Sequence, residues 1–176
     1  MQAETTIQIY DFENAIEAAF QKLLEAEGLS AFVSLDVDEV VEPEEGEPLD
    51  DKHQRPRPRV ELYFATGQET GHYHPSHFRA DAFTGNLMLR IVGSPKTTTR
   101  EHSDYRAKVR DVMAGSRDEF KSDSDNNDAN ALLPYHSVMD VVESGTNPNY
   151  QDDDGSIESA ITYQIKFNIR PDAWPA

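Results

Sequence analysis

The sequence predicts an α+β domain: an antiparallel sheet of about four to five strands packed against two helices, with a long C-terminal β-hairpin and extended arms. Three patterns carry this prediction. In the run from Ile157 to Arg170, Ile157, Ser159, Ile161, Tyr163, Ile165, Phe167 and Ile169 alternate with Glu158, Ala160, Thr162, Gln164, Lys166, Asn168 and Arg170. A period of two sends one set to a buried face and the other to solvent or a partner. Shorter alternations recur at Val60, Leu62 and Phe64, and at Leu87, Leu89 and Ile91. Phe12, Ile16, Ala19, Phe20, Leu23 and Leu24 instead recur at helical spacing, which predicts an amphipathic helix.

Taken in order, Thr5 to Tyr10 reads as an extended lead-in, Asp11 as the N-cap of the first helix and Gly28 as its stop. Ala31, Val33, Leu35 and Val37 alternate with Phe32, Ser34, Asp36 and Asp38, which predicts a first strand with one buried face. From Glu42 to Pro58 the composition turns to Pro, Glu, Asp and Arg, including the segment Arg55-Pro-Arg-Pro-Arg59, and is read as a mobile loop or arm, the alternative being that its acidic and basic halves dock on a neighbouring subunit. Val60 to Phe64 is a second strand ending at Gly67. Phe83, Leu87, Leu89 and Ile91 mark a third, interrupted near Gly85 and closed by Gly93-Ser-Pro95. Ser103 is expected to cap a second helix on which Tyr105, Val109, Val112 and Met113 share a face, ending near Gly115. Arg106, Lys108, Arg110 and Arg117 concentrate positive charge there, as a solvated face or as partners for acidic loops of a neighbour. Lys121 to Asn130 is a polar loop. Tyr135 to Glu143 then forms a hairpin with Ile157 to Arg170, joined by a long acidic connection from Ser144 to Gly155, and the lone Trp174 is expected to pin the tail. At about 3.4 Å per residue the last strand would reach roughly 40 Å. Such a hairpin either projects with exposed backbone edges that invite another chain or bends back over its own domain.

The 176 residues are read as a single domain. Hydrophobic residues make up 37% and the mean hydropathy is −0.70, so long loops carry much of the polarity. Sixteen basic residues against 33 acidic ones leave a net charge of −17, which repels nucleic acid and anionic membranes at long range. There is no cysteine, hence no disulfide, thiolate nucleophile or cysteine metal site. Nothing in the sequence has the pattern of a signal peptide or the length of apolar run that spans a membrane.

Motifs for chemistry are sparse. His72, His74 and His77 form the one group with metal-binding spacing, in a Gly- and Pro-flanked loop that offers no evident fourth ligand. Asp123, Asp125 and Asn127 match the first ligand positions of a calcium loop, but Asp128 stands where the turn glycine belongs and Pro134 where the bidentate glutamate belongs. No phosphate-binding glycine loop, nucleophile elbow or zinc-protease helix is present. The expectation is a protein that is not an enzyme and needs no cofactor or metal. The alternative is a metal-binding or enzymatic module built on the three histidines.

The order helix, strand, arm, strand, strand, helix, hairpin, with the segments ENAIEAAFQKLL (Glu13 to Leu24), NLMLRIV (Asn86 to Val92), HSDYRAKVRDVM (His102 to Met113) and SAITYQIKFNIRPDAW (Ser159 to Trp174), resembles the tail-terminator (tail-completion) proteins of long-tailed bacteriophages. The resemblance covers most of the chain outside Glu42 to Pro58 and Lys121 to Asn130. It implies a virion structural protein, assembled in the host cytoplasm, that caps the head-proximal end of the tail tube as a homohexameric ring. Its partners would be further copies of itself, the tube protein and a neck or head-completion protein, with DNA passing through the lumen unbound. A head-closure adapter or tube subunit is the neighbouring alternative. Residues expected at subunit or partner interfaces are Asn147, Tyr150, Asp152, Asp153 and Asp154 on the hairpin and Arg55, Arg57 and Arg59 on the arm.

Overall fold

The computed structural model describes residues 9–33, 57–66, 83–121, 129, 132–133, 136–151 and 155–169. Their order is α1 (Ile9–Ala26), β1 (Ala31–Val33), β2 (Arg59–Thr66), β3 (Phe83–Val92), α2 (Thr99–Lys121), β4 (His136–Gln151) and β5 (Ile157–Ile169). This is the α+β class and the element order that the sequence predicts. The five strands form one sheet in the order β1-β2-β3-β5-β4. All neighbours are antiparallel except β1, which pairs parallel to β2 from Ala31↔Val60 to Val33↔Leu62, so the sheet is mixed.

Both helices lie on one face. Ile16, Ala19, Phe20 and Leu24 of α1 and Val109, Met113 and Phe120 of α2 are buried with Val60, Leu62, Phe64, Leu87, Leu89, Ile91, Ile161, Tyr163, Ile165 and Phe167 of the sheet. Phe20 and Phe120 bring the two helices together, with ring centroids 5.0 Å apart. Burying this apolar surface is the main stabilising contribution. Glu17 also points inward, and its carboxylate accepts a buried hydrogen bond from the Phe64 N–H at 2.9 Å, satisfying a backbone donor of β2 beyond the short β1 pairing.

Several boundaries differ from expectation for identifiable reasons. Helix α2 starts before Ser103 because Thr98 and Glu101 form a capping box: the Thr98 N–H donates to Glu101 at 2.7 Å and the Glu101 N–H donates to the Thr98 hydroxyl at 3.2 Å. Accepting the Thr98 donors holds the Glu101 carboxyl below its ordinary range. The helix continues through Gly115 to Lys121 because Phe120 is anchored in the core. Helix α1 begins before Asp11 and stops as expected, with Gly28 at φ +77°. Strand β3 is not interrupted at Gly85. A Cβ there would sit 2.2 Å from Phe64 Cζ, so the glycine leaves room for the Phe64 ring to cross β3 and meet Phe167 edge-on at 5.7 Å.

The hairpin neither projects nor leaves two free edges. Strand β5 lies inside the sheet, paired with β3 from Phe83↔Phe167 to Val92↔Glu158 and with β4 from His136↔Ile169 to Gln151↔Ile157. The expected long connection is mostly strand, because β4 runs to Gln151 with three register shifts. These irregularities take up Gly145 and Pro148, which an edge strand tolerates.

Candidate assembly surface

With both helices on one side, no other described element lies on the opposite face of the sheet, which is called the open face below. Alternation places on it Phe32 of β1, Arg59, Glu61 and Tyr63 of β2, Asn86, Met88 and Arg90 of β3, Glu158, Ala160, Thr162, Gln164 and Lys166 of β5, and Val142, Asn147 and Tyr150 of β4. Among the described residues the exposed large hydrophobic side chains are Tyr63, Met88, Leu132, Val142 and Tyr150, and all but Leu132 are on this face. Tyr63 and Met88 are cross-strand partners at its centre, 45% and 39% exposed.

Beside them runs a charged ladder across four strands. Arg59 Nε donates to Glu61 Oε1 at 2.8 Å. Arg90 Nη1 donates to the other Glu61 oxygen at 3.2 Å, and its Nη2 and Nε reach Glu158 at 2.7 and 3.0 Å. The Tyr150 hydroxyl donates to Glu158 Oε2. Burial by itself would lower the Arg90 pKa, but the hydrogen bonds and charges of Glu158 and Glu61 outweigh it and hold the guanidinium firmly protonated. The hydrogen bond to Glu158 pushes the Tyr150 phenol up. Glu158 itself is buried, and these donors satisfy its carboxylate oxygens. The ladder fixes the orientation of side chains that would otherwise sample many rotamers, so the face is preorganised for contact.

The helix side ties the hairpin down. Arg106 donates to Asn149 at 2.9 Å, and Arg110 reaches both Glu143 oxygens at 2.7 and 3.1 Å and Thr146 at 3.0 Å. Arg117 lies 3.8 Å from Asp140. Arg106, Arg110 and Arg117 of α2 therefore pair with β4 of the same chain. The bond from Arg110, with help from Thr146, holds the Glu143 carboxyl below its ordinary range. Deeper in, His102 Nε2 and Ser159 Oγ lie 2.9 Å apart, each about 1% exposed. Burial pushes the His102 pKa down, the nearby Arg106 adding to this and Glu158 opposing it. A serine and histidine at this distance have the spacing of a nucleophile and its base, but here both are enclosed by α2 and β5.

Of the residues expected at interfaces, Asn147 and Tyr150 stand exposed on β4, and Arg59 lies half-buried on β2. Arg59 and Tyr150 are brought to the two ends of the charged ladder, while Arg57 precedes β2. Arg55, Asp152, Asp153 and Asp154 lie outside the described residues, as do His72, His74, His77 and Trp174. Sequence reasoning missed Glu61, Arg90 and Glu158, which join the ladder. Their signal was available: each is a charged residue at an outward position of an alternating strand, with opposite charges on neighbouring strands.

Among the described residues no His, Asp and Glu side chains gather in a group suited to a metal, and no helix is long and apolar enough to cross a membrane. No protein-family model matches the chain, and no curated protein matches it either.

Proposed function

We propose that this chain is a structural protein of a phage virion that works by assembly, closing the head-proximal end of the tail tube as a homo-oligomeric ring and joining it to the neck. The observation that carries the reading is the open sheet face, where Tyr63, Met88, Val142 and Tyr150 are exposed beside a preformed ladder of ion pairs. Exposed apolar side chains grouped on one face and rimmed by ordered polar groups are the mark of a protein contact surface. The element order, and its likeness to tail-terminator proteins, supports the particular assembly. The net charge of −17 suits a ring around a passage for DNA, because like charge disfavours adhesion to its walls.

Quantitative mass spectrometry of purified phage particles whose genome encodes this chain tests the reading. A terminal ring predicts a small fixed copy number, about six for the closed cyclic assembly proposed. Hundreds of copies would identify a tube subunit instead, and absence from the particle would overturn a virion role.

A further inference from the structure

The two faces of the molecule differ in charge in a way that the chain total conceals. On the open sheet face Arg59, Arg90 and Lys166 stand against Glu61, Glu158 and Asp140, which pairs with Lys166, so 3 − 3 = 0, and the exposed ones are the two basic residues Arg90 and Lys166. On the helical layer the exposed ones are Lys22, Arg100, Lys108 and Arg117 against Glu25, Glu27, Glu101, Asp104, Asp111, Asp118 and Glu119, so 4 − 7 = −3. That layer also carries a groove of about 440 Å³ between α1 and α2, with Leu23 and Val112 in its lining and the carboxylates Glu27, Asp111 and Glu119 and the cation Lys108 around them. One side of the chain therefore presents exposed Tyr63 and Met88 with the exposed cations Arg90 and Lys166, and the opposite side presents a partly apolar groove in a negative field.

We infer that copies of this chain associate head to tail, the open sheet face of one seated on the α1/α2 layer of the next. The inference rests on the assembly reading above and names its contact. A second copy fits because the exposed cations of the sheet face meet the excess of exposed carboxylates on the helical layer, whereas two sheet faces meeting each other would oppose Arg90 and Lys166 of one copy to those of the other. Two bodies of charge −17 repel at a distance, and opposed local charge selects the orientation in which they can touch. The size is adequate. Strands β2, β3, β5 and β4, about 4.8 Å apart and some nine residues long at about 3.4 Å each, cover roughly 600 Å² in projection, close to the ~800 Å² that each partner buries in a standard interface. A contact between two different patches of one chain repeats from copy to copy and closes into a ring when the rotation allows.

Two variants of the full chain test this. Tyr63→Glu with Met88→Glu blocks the sheet face, and Asp111→Arg with Glu119→Arg blocks the helical layer; the four positions are exposed, and circular dichroism and thermal melts establish that each variant folds. Native mass spectrometry is expected to show the unaltered chain as an oligomer and each variant as a monomer, its association weakened by roughly a hundredfold or more because unpaired charge is forced into the contact. An equimolar mixture of the two is expected to form dimers and nothing larger, since one intact sheet face meets one intact helical layer. A monomeric unaltered chain overturns the inference, as does a sheet-face variant that still assembles, or a helical-layer variant that assembles normally, which would mean a contact between sheet faces. Association through these faces in a chain absent from phage particles would sink the virion role and leave the contact standing.

Discussion

Gly85→Ala isolates one packing relation in the core. The new Cβ would stand 2.2 Å from Phe64 Cζ and 2.6 Å from Cε2, whereas carbon atoms rest about 3.5–4.0 Å apart. The ring must retreat by more than an ångström, yet it is 2% exposed and held edge-on against Phe167. Overpacking of this kind costs roughly 1–3 kcal/mol, and losing part of the ring pair adds roughly 0.5–1.5 kcal/mol. The restriction of the unfolded chain returns about 0.4–1 kcal/mol, leaving a net loss of about 2 kcal/mol. For a chain of this length that lowers Tm by about 4–8 °C. The assay is a double-mutant cycle by urea denaturation with Phe64→Leu, whose shorter side chain leaves the space free. The methyl group should cost little in that background, giving a coupling of at least about 1 kcal/mol. Additivity within about 0.5 kcal/mol would refute the claim that Gly85 exists to admit the Phe64 ring.

Three further outcomes are expected. Thr98→Ala removes the cap of α2 and should destabilise the fold by about 1 kcal/mol, while Gly115→Ala, with no neighbour in the way, should stabilise it by about 0.5–1 kcal/mol; paired urea melts check both. Glu158→Gln weakens charge-assisted bonds from Arg90 and Tyr150 at a buried position and should cost about 1–3 kcal/mol, whereas Arg110→Ala, at a pair exposed on both sides, should cost less than about 1 kcal/mol. His102 has a folded-state pKa below its ordinary 6.5 because it is buried, so the unfolded chain takes up the proton first as pH falls. Its contribution is complete above about pH 6.5 and is lost as pH drops below that value. Stability measured from pH 7 to pH 5 should therefore fall less steeply in His102→Gln than in the unaltered chain.

The sheet and its helices were legible because alternation and helical spacing are local and strong. Val60, Leu62 and Phe64, and every second residue from Ser159 to Phe167, are buried as the pattern requires. The partner of each strand was not legible in the same way. Placement of β5 between β3 and β4 depends on contacts as much as 84 residues apart, such as Phe83↔Phe167, and nothing local distinguishes a strand paired on both edges from half of a free hairpin. Gly85 misled for a related reason: a strand glycine reads as a break until the ring that fills its space is known to come from another strand. The capping box at Thr98 and Glu101 was readable but was passed over for Ser103, one turn inside the helix. At the contact surface, Arg59 and Tyr150 were anticipated individually, but the carboxylates that connect them come from β2 and β5 and only register brings them together.

The position of β5 also governs the order in which the molecule can come into being. It is the last of the five strands to be synthesised and the one that holds β3 and β4 together. Until Ile169 has left the ribosome, β3 has a vacant edge facing the place where β5 will enter, β4 has no strand to pair with, and half of the core has no floor. Release of β5 closes both ladders in one event, so folding is expected to be cooperative and late, with most of its contacts non-local. A chain cut short before residue 157 would keep its helices and β2–β3 but present sticky strand edges to its siblings. For a protein proposed to act through contacts between its own copies, the late strand thus separates two kinds of association: aggregation of unfinished chains through open edges, and assembly of finished ones through faces that exist only after the sheet is complete.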